Sequence, residues 1–553
     1  QWWRGKHVAN GIMVLSSAAP LDTIAASTWR WDGNNGSVLV SSGFPLKPGQ
    51  VTSSNLGKVR VYVGDVEQAV EVVALRGTFA DGSYRSIGIQ FNYNLTNNTP
   101  VVSSVVMGNV VRQTTDISWT EPTSTTVRNK AVIAPTDPIH LCSTMVTLMP
   151  LTPATNDAGP MTAWNTELED AWADTGAAAG TQSGTAIYDH VVGLFGYYCR
   201  TGTPSWYQDA WDWAIALVGD KGSDSHTLAY TLPSDPITSC TNYAIFDPES
   251  IVGNNGSCGG MAEAYSTRHL TLAVSYWMTA WRQPIRASNV YAENLLWKTT
   301  SGYTATRDYW ISDTYGIRFN ISSRGLFAVL AGYLVESTTS FTTPAGVSVT
   351  TFDYPTWLPW TIDALVDYTY DLVDYRDGLV GMRDTVTGEG TNPGDFPLFQ
   401  LSLVANYLMA YYDHVLNDSR IPGLLKTMAD FLITQSRASA SSEAGYPDSW
   451  VTPYESTAPP LPGSGLLNYY IPEFAAIFAW VYASTGDSTY LTWLDRSIAS
   501  ANVTGLIEQT KIWGELWGRH LQCAGYYRNG GAIRALGGAP TTITAPPVHE
   551  SLG

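Results

Sequence analysis

"GTFADGSYRSIGIQF", residues Gly77–Phe91, reads as a strand, a tight turn and a second strand. Asp81-Gly82-Ser83 supplies the turn: glycine enters left-handed conformations freely, and Asp and Ser bond back onto nearby backbone. Ile87, Ile89 and Phe91 alternate with Ser86, Gly88 and Gln90, which places the three apolar residues on one face of the second strand. Tyr84 and Arg85 are expected on the exposed face, and the hairpin is read as fold-defining.

The same texture extends outward from this hairpin. "GSVLVSSGFPL", "VRVYVGDVEQAVEVVALRGTF", "TPVVSSVVMGNVV" and "KAVIAPTDP" are short β-branched runs separated by Gly, Pro and Asn turns, which predicts a small all-β barrel or sandwich. Beyond "LMPLTPATNDAGPMT" the period lengthens to about 3.6 residues, the mark of amphipathic helices. "IYDHVVGLFGYYCRTGTPSWYQDAWDWAIALVG" predicts a helix, a "TGTPS" turn and a second helix. "FPLFQLSLVANYLMAYYDHVLNDSRIPGLLKTMADFLITQS" and "IPEFAAIFAWVYASTGDSTYLTWLDRSIASA" repeat that plan. Irregular units of this kind, joined by long aromatic loops, predict helical hairpins closed into an α/α toroid rather than an open solenoid. The expected class is multidomain α+β. Residues 1–35 are read as a Trp-rich leader, 36–155 as the β domain, 160–535 as the toroid and 536–553 as a polar extension.

Composition narrows the function classes. The 553 residues carry 30 basic and 48 acidic side chains, a net charge of −18, and contain no basic run. Nucleic acid is therefore an unfavourable partner, since phosphate contacts need a concentrated basic surface. No apolar run of membrane-spanning length occurs, and no signal segment is read at the start. The five cysteines lack zinc spacing; Cys240 and Cys258 flank a loop rich in Asn and Gly and form the best disulfide candidate, with buried thiols as the alternative. Seven Asn-x-Ser/Thr sequons, the first at Asn35, suit an extracellular, cell-surface or virion-surface location. P-loop, dinucleotide, GxSxG, HExxH and EF-hand patterns are all missing.

Two elements of the β region occur together: Gly43-Phe44-Pro45, and Asp81-Gly82-Ser83 with Arg85 ahead of the Ile87-x-Ile89-x-Phe91 strand. In this the chain resembles the N-terminal RIFT-type barrel of exo-acting rhamnogalacturonan lyase-like proteins. The resemblance implies a barrel followed by an α/α toroid, and lytic chemistry on a uronic-acid-containing glycan. It carries over no catalytic residue.

The residues themselves supply the candidates. β-Elimination needs a neutraliser for the uronate carboxylate and a group that moves protons. In "GGMAEAYSTRHLTLA", Tyr265 and His269 stand at i and i+4 with Arg268 beside them, the best single cluster for that task. His190 and Tyr188 open another predicted inner helix, with Asp189 available to orient them. Arg318 offers a second carboxylate partner, and Tyr446 and Trp450 lie in a long loop suited to stacking on sugar rings. Glu515, Arg519, His520 and Tyr527 add a late polar group. Asp413-His414, far from the predicted helix N-termini, reads as structural.

An inverting hydrolase on the same fold would instead use carboxylates drawn from Glu263, Asp395, Glu473 and Glu515. A third reading is non-enzymatic: a subunit of an extracellular filament or virion tail, or a glycan-binding surface protein. A homo-oligomer would then form through the leader and the C-terminal extension. The expected partner is an oligo- or polysaccharide. No cofactor is called for, and a structural or catalytic divalent cation stays open.

Overall fold

The computed structural model describes residues 23–29, 36–96, 100–112, 117–122, 131–159, 161–162, 165, 190–219, 269–281, 330–335, 341–342, 348–349, 358, 362, 398–435, 474–501 and 522–533. Small antiparallel sheets occupy the N-terminal part and helices follow, so the chain is mixed α+β. It divides into two units, one of residues 1–146 with 276–282, the other of 147–275 with 283–553.

The first unit holds two sheets. Strands β1 (Thr23–Trp29), β3 (Val59–Val63), β4 (Val66–Glu67), β7 (Val101–Met107) and β8 (Val132–Pro135) form a five-stranded sheet ordered β4-β3-β7-β1-β8. Strands β2 (Gly36–Pro45), β5 (Glu71–Ala74) and β6 (Ser86–Leu95) form the second, ordered β2-β6-β5. β1 lies within the stretch read from sequence as a leader, yet it is an interior strand, paired with β7 and β8. Val40, Phe44, Val61, Ile87, Ile89, Phe91, Val105 and Ile133 fill the core.

Backbone and side-chain bonds knit the edges of the two sheets. Ser41 N donates to Ala131 O at 2.9 Å, and Ser42 Oγ both donates to Ile133 O (3.0 Å) and accepts from Ile133 N (3.2 Å). On another edge the Arg112 guanidinium donates to the carbonyls of Leu56, Val70 and Val72 at 3.1–3.3 Å. These bonds replace ladder pairs that two separate sheets cannot make.

The turn of the opening hairpin forms as read, but its first arm is a single bridge from Thr78 to Tyr84 and not a strand. Gly82 takes φ 79°, Phe79 N donates to Ser83 O at 2.8 Å, and Asp81 Oδ1 accepts from Ser83 N at 2.9 Å. Arg85 corrects the sequence reading: it is buried, 3 % exposed, with Nε donating to Thr78 O at 3.0 Å and its guanidinium 4.5 Å from the Phe79 ring centre. Tyr84 is half-buried and packs against the core. The outer side of β6 is covered at Ser86, Gly88 and Gln90 and exposed at Asn92 and Asn94. Gln90 clasps Thr120 by both its N (2.9 Å) and its O (2.6 Å), and the Trp119 ring lies where a side chain on Gly88 would stand. Alternation marks that side as different from the core, not as solvated.

Helix α1 (Pro138–Thr144) follows β8, N-capped by Asp137, and His140 Nε2 lies 3.1 Å from Pro45 O.

In the second unit the described helices include α2 (His190–Thr201) and α3 (Pro204–Gly219), α5 (Leu398–His414) and α6 (Arg420–Gln435), and α7 (Ala475–Thr485) and α8 (Ser488–Ala501). Helix α4 (His269–Thr279) precedes the α5–α6 pair, and its last residues belong to the first unit. Helix α9 (Gln522–Arg528) closes the order. Gly202 (φ 67°) and Gly486 (φ 71°) turn the chain between α2 and α3 and between α7 and α8, where an L side chain would be strained. Tyr207 packs edge-on against Phe195 and Tyr198 with ring centres 5.7 and 5.0 Å apart, which ties α2 to α3. Helix α7 is buried from Ala475 to Val481 and packs on α6, α8 and α9.

Candidate functional site

Tyr188, Tyr265, Arg268, Arg318, Tyr446 and Trp450 lie outside the described residues, as do Cys240, Cys258 and the acids Glu263, Asp395, Glu473 and Glu515. His190 and His269 are described as the first backbone residues of α2 and α4. Among the described residues no group of three or more His, Cys, Asp or Glu could hold a metal ion, and no helix is long and apolar enough to cross a membrane.

The described polar clusters in the second unit are structural. Arg200 is buried on α2 and ion-pairs with Asp157 Oδ2, which also accepts from Asn165 Nδ2. Its Nε donates to Thr152 O at 3.2 Å and its Nη1 to Asn165 Oδ1 at 3.3 Å. Asp413 and His414 end α5, and both are buried. Tyr527 Oη donates to Asp413 Oδ2 at 3.1 Å, and His414 Nε2 lies 3.1 Å from Leu148 O. Tyr527, read from sequence with a late polar group, is a core residue whose burial raises its pKa well above the ordinary phenol value. Burial, then the nearby Asp413 charge, pushes the Cys523 thiol up to about 12. In both groups burial favours the protonated, neutral form.

A different arrangement occupies the first unit, around residues 276–281. The last carbonyls of a helix have no partner within it. At the end of α4, Tyr276 O is taken by Ala280 N (2.8 Å), and Trp277 O accepts from Ser86 Oγ (2.6 Å). Gly43 lies against the same carbonyl, close enough that a side chain there would overlap it. Trp277 Nε1 donates to Arg76 O at 2.9 Å, and Arg76 N donates to Tyr276 Oη at 3.0 Å. The Arg85 guanidinium stands 5.7 Å from the Trp277 ring centre, a cation beside a helix C-terminus, where the helix dipole favours it. Ser86, Gly43, Arg76 and Arg85 thus form a socket that receives a helix end and its Tyr-Trp pair.

Sequence reasoning misses this socket because its two sides are about 190–200 residues apart. The available signal is Gly43 within a strand, since an interior strand glycine marks a bulge or the close approach of another backbone. Comparison with protein-family models, with curated proteins and with solved structures finds no match to this chain.

Proposed function

We propose that this chain is an extracellular carbohydrate-active protein of the rhamnogalacturonan lyase-like kind, acting by β-elimination on a uronic-acid-containing glycan. The observation that carries the reading is strand register. Gly43, Phe44 and Pro45 pair with Gly88, Ile87 and Ser86, so the first motif element lies directly beside the strand that follows the second. Two short phrases some forty residues apart therefore act as one structural unit, which a chance resemblance would not require.

In this reading the first unit is a RIFT-type barrel, supported by the bonds through Ser41, Ser42 and Arg112 that join the two sheets along their edges. The second unit is an α/α toroid, supported by the three helical hairpins α2–α3, α5–α6 and α7–α8. Arg268 or Arg318 neutralises the uronate carboxylate, which acidifies the proton α to it. Tyr265 or His269 removes that proton, its electron pair forms a C4–C5 double bond as the C4–O bond breaks, and the departing oxygen is protonated. His190 joins the catalytic group and Tyr188 the substrate-binding one in this reading, and Tyr446 and Trp450 stack on sugar rings.

The test is absorbance near 235 nm during incubation with a panel of uronate polysaccharides, with a reducing-sugar assay on the same samples. A rise abolished by Tyr265→Phe or His269→Ala supports the lyase. Reducing ends without absorbance shift the reading to a hydrolase, and silence in both assays removes the enzymatic reading.

A second reading, a non-enzymatic filament or virion-tail subunit, is favoured by exposed apolar side chains of the first unit. Val66, Val102, Val110, Val111 and Ile139 are 61–77 % exposed, as expected where a surface is covered by a neighbour. Sedimentation of the wild-type chain as a monomer at micromolar concentration removes that reading.

A further inference from the structure

Two of the seven sequons fall whole within the described residues: Asn94-Leu95-Thr96 in the first unit and Asn417-Asp418-Ser419 in the second. A sequon carries sugar in a folded protein only where its amide stands in solvent with room around it. At the end of β6 the strand itself arranges this. Successive side chains point to opposite sides, so Asn94 and Thr96 share one side while Leu95 takes the other. Leu95 is in the core, 1 % exposed, and both Asn94 and Thr96 are exposed. In the second unit Asp418 N donates to Leu416 O at 2.8 Å, which closes a three-residue turn with Asn417 at its tip. Asp418 is held by its ion pair with Arg420, and Asn417 and Ser419 on either side of it are exposed. In each sequon the middle residue is anchored, and the amide and the hydroxyl face solvent.

The surroundings of Asn94 add a second observation. β5 pairs with β6 only from Ile87 to Gln90, so among the described residues Phe91–Leu95 has a strand neighbour on the β2 side alone. An open run of strand backbone is a template for pairing with another chain, and proteins cover such edges. An added strand would lie about 4.8 Å away, well within the reach of an oligosaccharide on Asn94.

We propose that Asn94 and Asn417 are N-glycan acceptors, and that the sugar on Asn94 shields the open length of β6. The inference rests on the extracellular part of the reading given above and not on its lyase chemistry. The donor is an oligosaccharide carried on a lipid pyrophosphate in the membrane that the exported chain crosses. The side-chain amide nitrogen bonds to C1 of the first sugar and gives up one proton. The C1–O bond to the pyrophosphate breaks, and the pyrophosphate leaves with the electron pair.

The experiment uses the full-length chain from its natural source, collected separately from outside and inside the cell. Fragmentation mass spectrometry of its proteolytic peptides reads which asparagines carry sugar. On the extracellular chain, sugar is expected at both Asn94 and Asn417. Asn94→Gln and Thr96→Ala, which remove the amide and the hydroxyl in turn, are each expected to abolish sugar at position 94 and keep it at Asn417. Sedimentation is the second readout. Both of these variants are expected to shift part of the chain to faster-sedimenting species, and their agreement separates loss of the sugar from loss of either side chain. Asn417→Gln, which bares no strand edge, is expected to leave the profile unchanged.

An extracellular chain without sugar at either residue overturns the inference and leaves the location standing. Sugar at one of the two alone overturns the assignment at the other. A chain confined to the cell interior sinks the extracellular reading, and the inference falls with it. Sugar at Asn94 whose loss leaves sedimentation unchanged overturns the shielding role.

Discussion

The two units bury polar groups by different balances of side-chain and backbone pairing. In the first unit, side chains pair with backbone: Ser42 with Ile133, Gln90 with Thr120, Ser86 with Trp277, and Arg112 with three carbonyls. In the second, charged and hydroxyl groups also pair with one another, as in Arg200–Asp157–Asn165 and Asp413–Tyr527. The cause is the secondary structure. Helices satisfy their own backbone and leave side chains to find each other, whereas strands that end a sheet expose backbone groups that only side chains or another segment can meet. Loss of a partner therefore strands a charge in the helical unit and a neutral dipole in the β unit, and the two differ in cost.

The largest effect expected is from Arg200→Met. It leaves the Asp157 carboxylate buried without its cation, and a loss of about 3–5 kcal/mol is expected in urea unfolding. Adding Asp157→Leu should recover most of that loss, because an apolar pair needs no ionic partner. A double variant as unstable as the single one would break the contrast between the units. Gln90→Ala comes next: it frees the Thr120 backbone near a surface where water can reach it, and about 1–2 kcal/mol is expected. A cost equal to that of Arg200→Met would likewise erase the contrast.

Acid sharpens it on a smaller scale. Burial is the strongest single influence on Asp418 and favours its neutral form, but the side-chain and backbone hydrogen bonds of Arg420, with its charge, outweigh it and hold the carboxyl below the usual range. A depressed carboxyl stabilises the fold fully above its unfolded value of about 3.9 and loses that contribution as pH falls through the folded value. Asp418→Asn should therefore lower stability at pH 7 slightly and flatten its decline below about pH 4, read from Tm against pH. Smallest is Ala280→Gly. Relief of the left-handed strain, about 1–2 kcal/mol, is offset by about 0.8 kcal/mol for the lost buried methyl and by the entropy glycine brings to the unfolded chain. Its Tm should stay within a few degrees of wild type.

What the sequence disclosed follows the range of each interaction. The opening hairpin was legible because its turn and its apolar face lie within fifteen residues, and Ile87, Ile89 and Phe91 are fully buried. Two of the helical hairpins were legible because Gly202 and Gly486 interrupt long, largely apolar runs. Arg85 was not, since what covers it, Trp277, arrives from far along the chain and leaves no trace in a local period. The same holds for Ser86, Gly88 and Gln90, whose polar or small character describes what they dock against rather than water. Of the residues assigned to the lyase chemistry, His190 and His269 fall within the described backbone, as the first residues of α2 and α4, so the chemistry assigned to them rests on sequence spacing.

The socket also sets an order of synthesis. Strands β2 and β6 leave the ribosome early, but the Tyr276-Trp277 pair that completes their outer side is made well over a hundred residues later. At roughly 5–20 residues per second, the nascent β unit spends on the order of ten seconds with Gly43, Ser86 and the Arg85 guanidinium uncovered. A ribosome pausing before residue 276 would lengthen that interval.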